Sequence, residues 1–243
     1  MWLRGQLSLE LKAVSVLGFL LIIVSVLTLL CIVVPLALTT RKEVLRGTLP
    51  HFVYFAGIGL GFMLVEVSQM QRLIIFLGHP TYGLSVVLFA LLLSSGIGSY
   101  LTESSTRTSV PGSKRLLLLL GLLVVFGALT PTAIRSFEAS TTPERIVVAT
   151  AILFPVGLAM GMAFPLGLSL ASKQSPSLTP WLWGVNGAAS VCASVLAVAI
   201  ALNAGISASF WCGFCCYAAA CGSFVWASQR AGRLQHDYEL VTR

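Results

Sequence analysis

From residue 174 to residue 229 the chain carries no Asp, Glu, Lys or Arg. A hydrocarbon core of about 30 Å takes roughly 20 helical residues, so this stretch is too long for one crossing and must turn back within itself. Asn203-Ala204-Gly205 supplies the turn chemistry, which leaves residues 181–202 and 206–227 as two membrane spans. Inside lipid every backbone polar group has to be bonded within its own segment, so both spans are predicted to be helices.

The same argument finds five earlier spans, at residues 13–38, 52–77, 83–101, 116–134 and 146–172. The expected fold is all-α, a polytopic integral membrane protein with seven transmembrane helices. Composition agrees, since 57% of residues are hydrophobic and 9% are charged, against about 25% charged in soluble domains. A soluble domain and a disordered chain are both excluded. Arg4 and Lys12 precede the first apolar run as in a secretory leader, but residues 13–38 outlast the roughly 7 to 15 apolar residues of a leader core. They are expected to stay as a helix. Three parts follow: an N-terminal transmembrane helix and basic loop (1–48), a six-helix membrane module (49–228) and a polar, solvated C-terminal tail (229–243).

The net charge of +7 is scattered over short loops, which suits lipid headgroups and topology better than a nucleic-acid surface. With seven crossings, Arg4, Lys12, Arg72, Arg135 and Arg145 share one side. The other side carries Arg41, Lys42, Arg46, Arg107, Lys114 and Arg115, together with Lys173, Arg230, Arg233 and Arg243. Cytoplasmic loops are enriched in Lys and Arg. The N-terminus is therefore expected outside and the C-terminus in the cytoplasm, in a bacterial inner membrane. The bilayer is the expected partner, with no nucleic acid. No cofactor or metal is expected either, because His51, His79 and His236 have no ligand spacing with one another.

Glu66 is the one acid deep inside a span. Entering at Phe52, the helical rise of 1.5 Å per residue puts it about 21 Å along the core, where a carboxylate faces protein or water and is either partnered or neutral. Gln69 lies one turn on, Arg72 near the far boundary, and Asn186 in the sixth span is a candidate hydrogen-bond partner. Two readings stand: a proton or cation site in a carrier, or a structural hydrogen bond between helices. His79 sits in the turn His79-Pro80-Thr81-Tyr82, where Pro80 ends the preceding helix; it is expected to cap a helix end or line an interface.

Gly57, Gly59 and Gly61 spell G-x-G-x-G, but a nucleotide loop needs a strand before these glycines and a helix after. Inside a membrane helix they are expected to admit a close neighbour, as are Gly157 and Gly161 in a G-x-x-x-G pair. Trp211-Cys212-Gly213-Phe214-Cys215 resembles the thioredoxin active-site pentapeptide with Phe214 in place of proline, which would make Cys212 and Cys215 a redox pair. The alternation of strands and helices typical of thioredoxin is missing, and the loops hold no second cysteine pair to pass electrons on. Small apolar packing is the competing role for these cysteines. Pro35, Pro155 and Pro165 are expected to kink or break their helices, as in many transporters. Residues 55–63 and 154–162 echo one another, so spans two to four and five to seven read as an inverted three-helix repeat.

Several blocks resemble a known family. Gly59-Leu60-Gly61-Phe62-Met63-Leu64-Val65-Glu66, Phe76-Leu77-Gly78-His79-Pro80-Thr81-Tyr82 and Ser94-Ser95-Gly96-Ile97-Gly98-Ser99 look like the membrane region of bacterial spermidine-synthase-like membrane proteins, often described as major-facilitator and spermidine-synthase fusions. Gly161-Met162-Ala163-Phe164-Pro165-Leu166-Gly167 and the block from Pro180 to Ser190 agree. The resemblance implies a soluble synthase-like domain in many relatives. No such domain is expected within these 243 residues, whose only Asp is Asp237, whereas the resemblance implies that aminopropyl transfer relies on several acids. The expectation is a non-catalytic membrane subunit, an accessory or anchoring component of a larger assembly paired with other protein subunits, among them a separate synthase-like protein. The alternative is a secondary carrier for a small molecule or cation using Glu66, and the third reading is a membrane thiol oxidoreductase.

Overall fold

The structure, a computed structural model, describes residues 2–39, 47–104, 111–174 and 176–241. Helix α1 (Trp2–Thr28) runs through a π-helical turn (Leu29–Val33) into α2 (Val34–Thr39). Then follow α3 (Leu49–Leu77), α4 (Pro80–Ser104), α5 (Gly112–Ser136), α6 (Thr142–Gln174), α7 (Thr179–Ala204) and α8 (Ile206–Val241). Helices α3 to α8 are each long and apolar enough to cross a membrane, and a shorter apolar stretch, Ser15–Cys31, runs from α1 into the π-helical turn. The chain is thus an all-α polytopic membrane protein. Arg41, Lys42, Arg46, Arg107 and Arg243, which contribute to the predicted orientation, lie outside the described residues.

Local chemistry accounts for the element boundaries. Gly205 adopts φ 90° between α7 and α8, a conformation that costs a side chain but not glycine, and its N–H closes on the Ala201 carbonyl at 3.0 Å. The predicted hairpin is there. Gly78 ends α3 in the left-handed region, φ 75°, with its N–H on the Ile74 carbonyl, a common helix C-terminal cap. Pro35 has no N–H, and a proline ring crowds the carbonyl four residues back. The chain widens instead of breaking: the Val34 N–H reaches the Leu29 carbonyl, five residues back, as π turns do. Pro155 and Pro165 both lie inside the continuous α6, so neither divides it into two helices. Across the polar tail from residue 229, α8 carries on as helix to Val241. Gln, Arg, Leu and Glu are good helix formers, so the change from apolar to polar composition marks the end of the lipid-facing part and not of the helix.

Helix α3 is the centre of the bundle, packed on α8, α7, α4 and α6. It runs antiparallel to α8, since Ser223 bonds the Pro50 carbonyl at one end and Arg72 bonds Ser207 at the other. It runs parallel to α7, where Asn186 meets Phe55 and Ser190 meets Gly59. Helix α4 pairs with α6, α5 lies against α6 and α8, and α1 lies along α7. An inverted repeat would exchange two of these pairs, α4 on α6 and α3 on α7. The echoing glycines are not equivalent, however: Gly57 and Gly61 face α8, whereas Gly157 and Gly161 face α4.

Those glycines set helix spacing. A Cβ on Gly57 would come within 3.0 Å of the Cys216 carbonyl, and one on Gly61 within 2.8 Å of the Tyr217 ring. Between α4 and α6 the approach is reciprocal: a Cβ on Gly161 would collide with the Ser95 carbonyl, and one on Gly98 with the Leu158 carbonyl. Without a hydrophobic drive between helices in lipid, such backbone approach is a main source of association. Phe55, Val65, Leu91, Leu119, Leu123 and Phe210 fill the core around it.

Candidate functional site

The site begins with the geometry of α3. Its midpoint is Met63, so Glu66 lies three residues, about 4.5 Å, from the middle of the helix and is 4% exposed. The helix starts at Leu49, three residues before Phe52. One turn on, Gln69 is 0% exposed, and neither its Oε1 nor its Nε2 has a hydrogen-bond partner. The Gln71 Oε1, one Arg72 guanidinium nitrogen and the Ser209 hydroxyl are likewise buried without a partner. More than nine in ten buried polar groups in folded proteins are bonded, so this concentration marks a place with unused hydrogen-bonding capacity.

Register ties these groups together. Gly61 faces Tyr217 and Arg72 donates from Nη2 to the Ser207 hydroxyl at 3.1 Å, so Gln69 and Ser209 fall at the same level of the antiparallel α3 and α8. Tyr217 is within electrostatic reach of Glu66. Two cavities flank the strip. One of about 230 Å³ lies in the bundle between Gly59, Phe62, Phe164, Asn186, Ser190 and Tyr217. The other, about 430 Å³, opens at the end of α3 and is lined by Arg72, Phe76, Ile134, Glu138, Arg145 and Ile206. Polar side chains thus run from one end of the bundle to its middle, with space at both limits.

Asn186 does not join this strip. Its Nδ2 donates to the Phe55 carbonyl at 3.0 Å, and the Ser190 hydroxyl next to it reaches the Gly59 carbonyl at 3.3 Å. Phe55 is eleven residues, about 16 Å along the helix, from Glu66. Gly59 explains the docking: a Cβ there would lie 2.5 Å from the Asn186 carbonyl. Asn186 therefore fastens α7 to α3 and lines the inner cavity. His79 is exposed and its Nδ1 accepts the Thr81 N–H at 3.3 Å, satisfying one of the donors that the start of α4 leaves free, while its ring meets Tyr82 with centroids 5.5 Å apart. That is the capping role. Cys212 and Cys215 are unpaired and exposed, on the outward side of an unbroken α8 well past its first turn.

Arg145 is the residue that sequence reasoning counted only as a loop charge. Its Nη1 donates to the Phe76 carbonyl and its Nε to the Ser140 carbonyl, each at 3.0 Å, and its Nη2 bonds the Glu138 carbonyl. The guanidinium also sits 5.8 Å from the Phe76 ring centroid. One side chain thereby closes the last turn of α3 and the loop between α5 and α6, and forms a wall of the outer cavity. Its position three residues after Thr142, in the first turn of α6, gave no signal of a partner some seventy residues earlier. No protein-family model, no curated protein and no solved structure matches the chain.

Proposed function

We propose that this protein is a membrane carrier component in which Glu66, Gln69 and Arg72 of α3 bind a small polar or cationic solute. The supporting observation is Gln69, wholly buried with both ends of its amide unbonded, between a buried carboxylate and a guanidinium. Intramembrane ionisable and polar groups usually line solute or ion pathways. Arg72 lines the outer cavity of about 430 Å³, toward the lower end of the roughly 300 to 1,000 Å³ of ligand pockets, which suits a small solute. Counting α1 and α2 as one crossing makes seven spans, with the α3 start and the α8 end in the cytoplasm of a bacterial cell. Reporter fusions at Arg46 and at the C-terminus should locate to the same side; opposite sides would refute the topology.

Glu66→Gln is the deciding variant. It should leave the purified protein monodisperse in detergent and lower uptake into proteoliposomes by tenfold or more. A wild-type protein that gives a flat response over polyamines and other organic cations would sink the proposal, as would a variant that transports normally. A second reading, an accessory subunit anchoring a separate synthase-like protein, draws on the family resemblance and on α1. That helix lies at the edge of the bundle along α7 with Val16, Phe19 and Ile22 exposed. Purification in mild detergent separates the two, because a stable monomer without a partner counts against the subunit.

A further inference from the structure

At the end of the bundle opposite Arg72, a cavity of about 660 Å³ opens between α4, α5, α6 and α7. Its charged lining is Glu103, Arg115 and Lys173. Among the described residues neither the Arg115 nor the Lys173 side chain makes a hydrogen bond or an ion pair, with Glu103 or any other residue. Two unengaged cations against one acid leave the cavity electropositive. Hydroxyls of Ser99 and Thr179 line it as well and can donate to anionic oxygens, while Ser169 and Ser172 donate to the Leu166 and Ser169 carbonyls.

The rest of the lining is apolar. Pro165, Leu166 and Leu168 belong to the cavity wall, and Trp183 stands at its edge, 56% exposed. Tryptophan favours the headgroup level of a bilayer. Glu103, Arg115 and Lys173 lie within three residues of a helix end and Leu166 and Leu168 further inside α6, so the cations lie at the boundary of the apolar spans and the leucines within them. A ligand matched to both parts carries a phosphate at one end and a hydrocarbon chain at the other. Basic pockets between transmembrane helices bind such headgroups.

From this we infer that the cavity holds an anionic phospholipid, its phosphate between Arg115 and Lys173 and an acyl chain along Leu166, Leu168 and Trp183. Full-length protein in a mild detergent provides the test, read by native mass spectrometry and thermal unfolding with added phosphatidylglycerol, phosphatidylcholine or inorganic phosphate. Phosphatidylglycerol should bind roughly five- to thirtyfold more tightly than phosphatidylcholine, since each interfacial Lys or Arg favours an anionic surface by a factor of about five. The Arg115→Gln/Lys173→Gln double variant should remain folded and lose that preference, and Glu103→Gln should keep or strengthen it. Equal binding of the two lipids would overturn the inference. So would a double variant that still prefers phosphatidylglycerol, or inorganic phosphate protecting as well as the lipid, which would indicate a site for a soluble anion.

Discussion

Gly161→Ala should destabilise the bundle by about 1 to 3 kcal/mol, the usual range for forcing an extra carbon into a packed interior. The added Cβ meets the Ser95 carbonyl of α4, which is backbone and cannot rotate away as a flexible side chain would. The two helices must therefore separate, and that loosens the second contact of the pair, Gly98 on the Leu158 carbonyl. Valine at the same position should exceed the alanine effect and reduce recovery of folded protein. Gly96 on α4 provides the control, because nothing lies within 4 Å of a Cβ there. Gly96→Ala should be neutral or stabilising by up to about 1 kcal/mol, the helix preference of alanine over glycine. Denaturant unfolding of the two alanine variants in one detergent measures the difference. Equal behaviour would mean that the α4 and α6 backbones are not in contact.

Arg145→Ala should lower stability by about 2 to 4 kcal/mol. It removes three donors from the carbonyls of Phe76, Ser140 and Glu138, and a hydrogen bond to a charged group contributes roughly 1.5 to 3 kcal/mol. The bond to Glu138 is at the exposed rim and adds least. The contact with the Phe76 ring adds about 0.5 to 1 kcal/mol at such a site. Arg145→Lys should recover only part of the loss, since an ammonium cannot reproduce the planar fork. Hydrogen exchange localises the effect: amides in the last turn of α3 and in the loop from Phe137 to Thr141 should exchange faster, and those near Gly57 should not. A loss below about 0.5 kcal/mol with no change in exchange at Phe76 would remove Arg145 from this role.

How much of this could be read beforehand depends on the range of the interaction. The hairpin at Gly205, the end of α3 at Gly78 and the cap at His79 are local. Each is decided by residues within one turn, and each was legible. The close approaches at Gly57, Gly59, Gly61, Gly157 and Gly161 were legible as a class, because a missing side chain inside a membrane helix leaves room for a neighbour. Which neighbour was not: Gly98 and Gly167, equally close to other helices, carry no local mark that separates them from Gly96. Asn186 shows the same limit, since sequence makes it a donor in need of an acceptor but cannot distinguish Glu66 from the Phe55 carbonyl.

The sequence by itself determined that the chain lies in a membrane as a bundle of helices. A bilayer imposes one rule on every segment, that backbone groups be bonded internally and side chains be apolar over about 20 residues, and a local rule can be checked residue by residue. Only the tertiary structure decided that α3 is the centre, that Gln69 and Ser209 share a level without bonding, and that Arg145 closes α3 from another helix. In lipid both buried and outward faces are apolar, so hydropathy cannot tell which side of a helix meets protein. That choice depends on backbone approach and on hydrogen bonds between residues far apart in the chain, and it becomes visible only when the helices are packed.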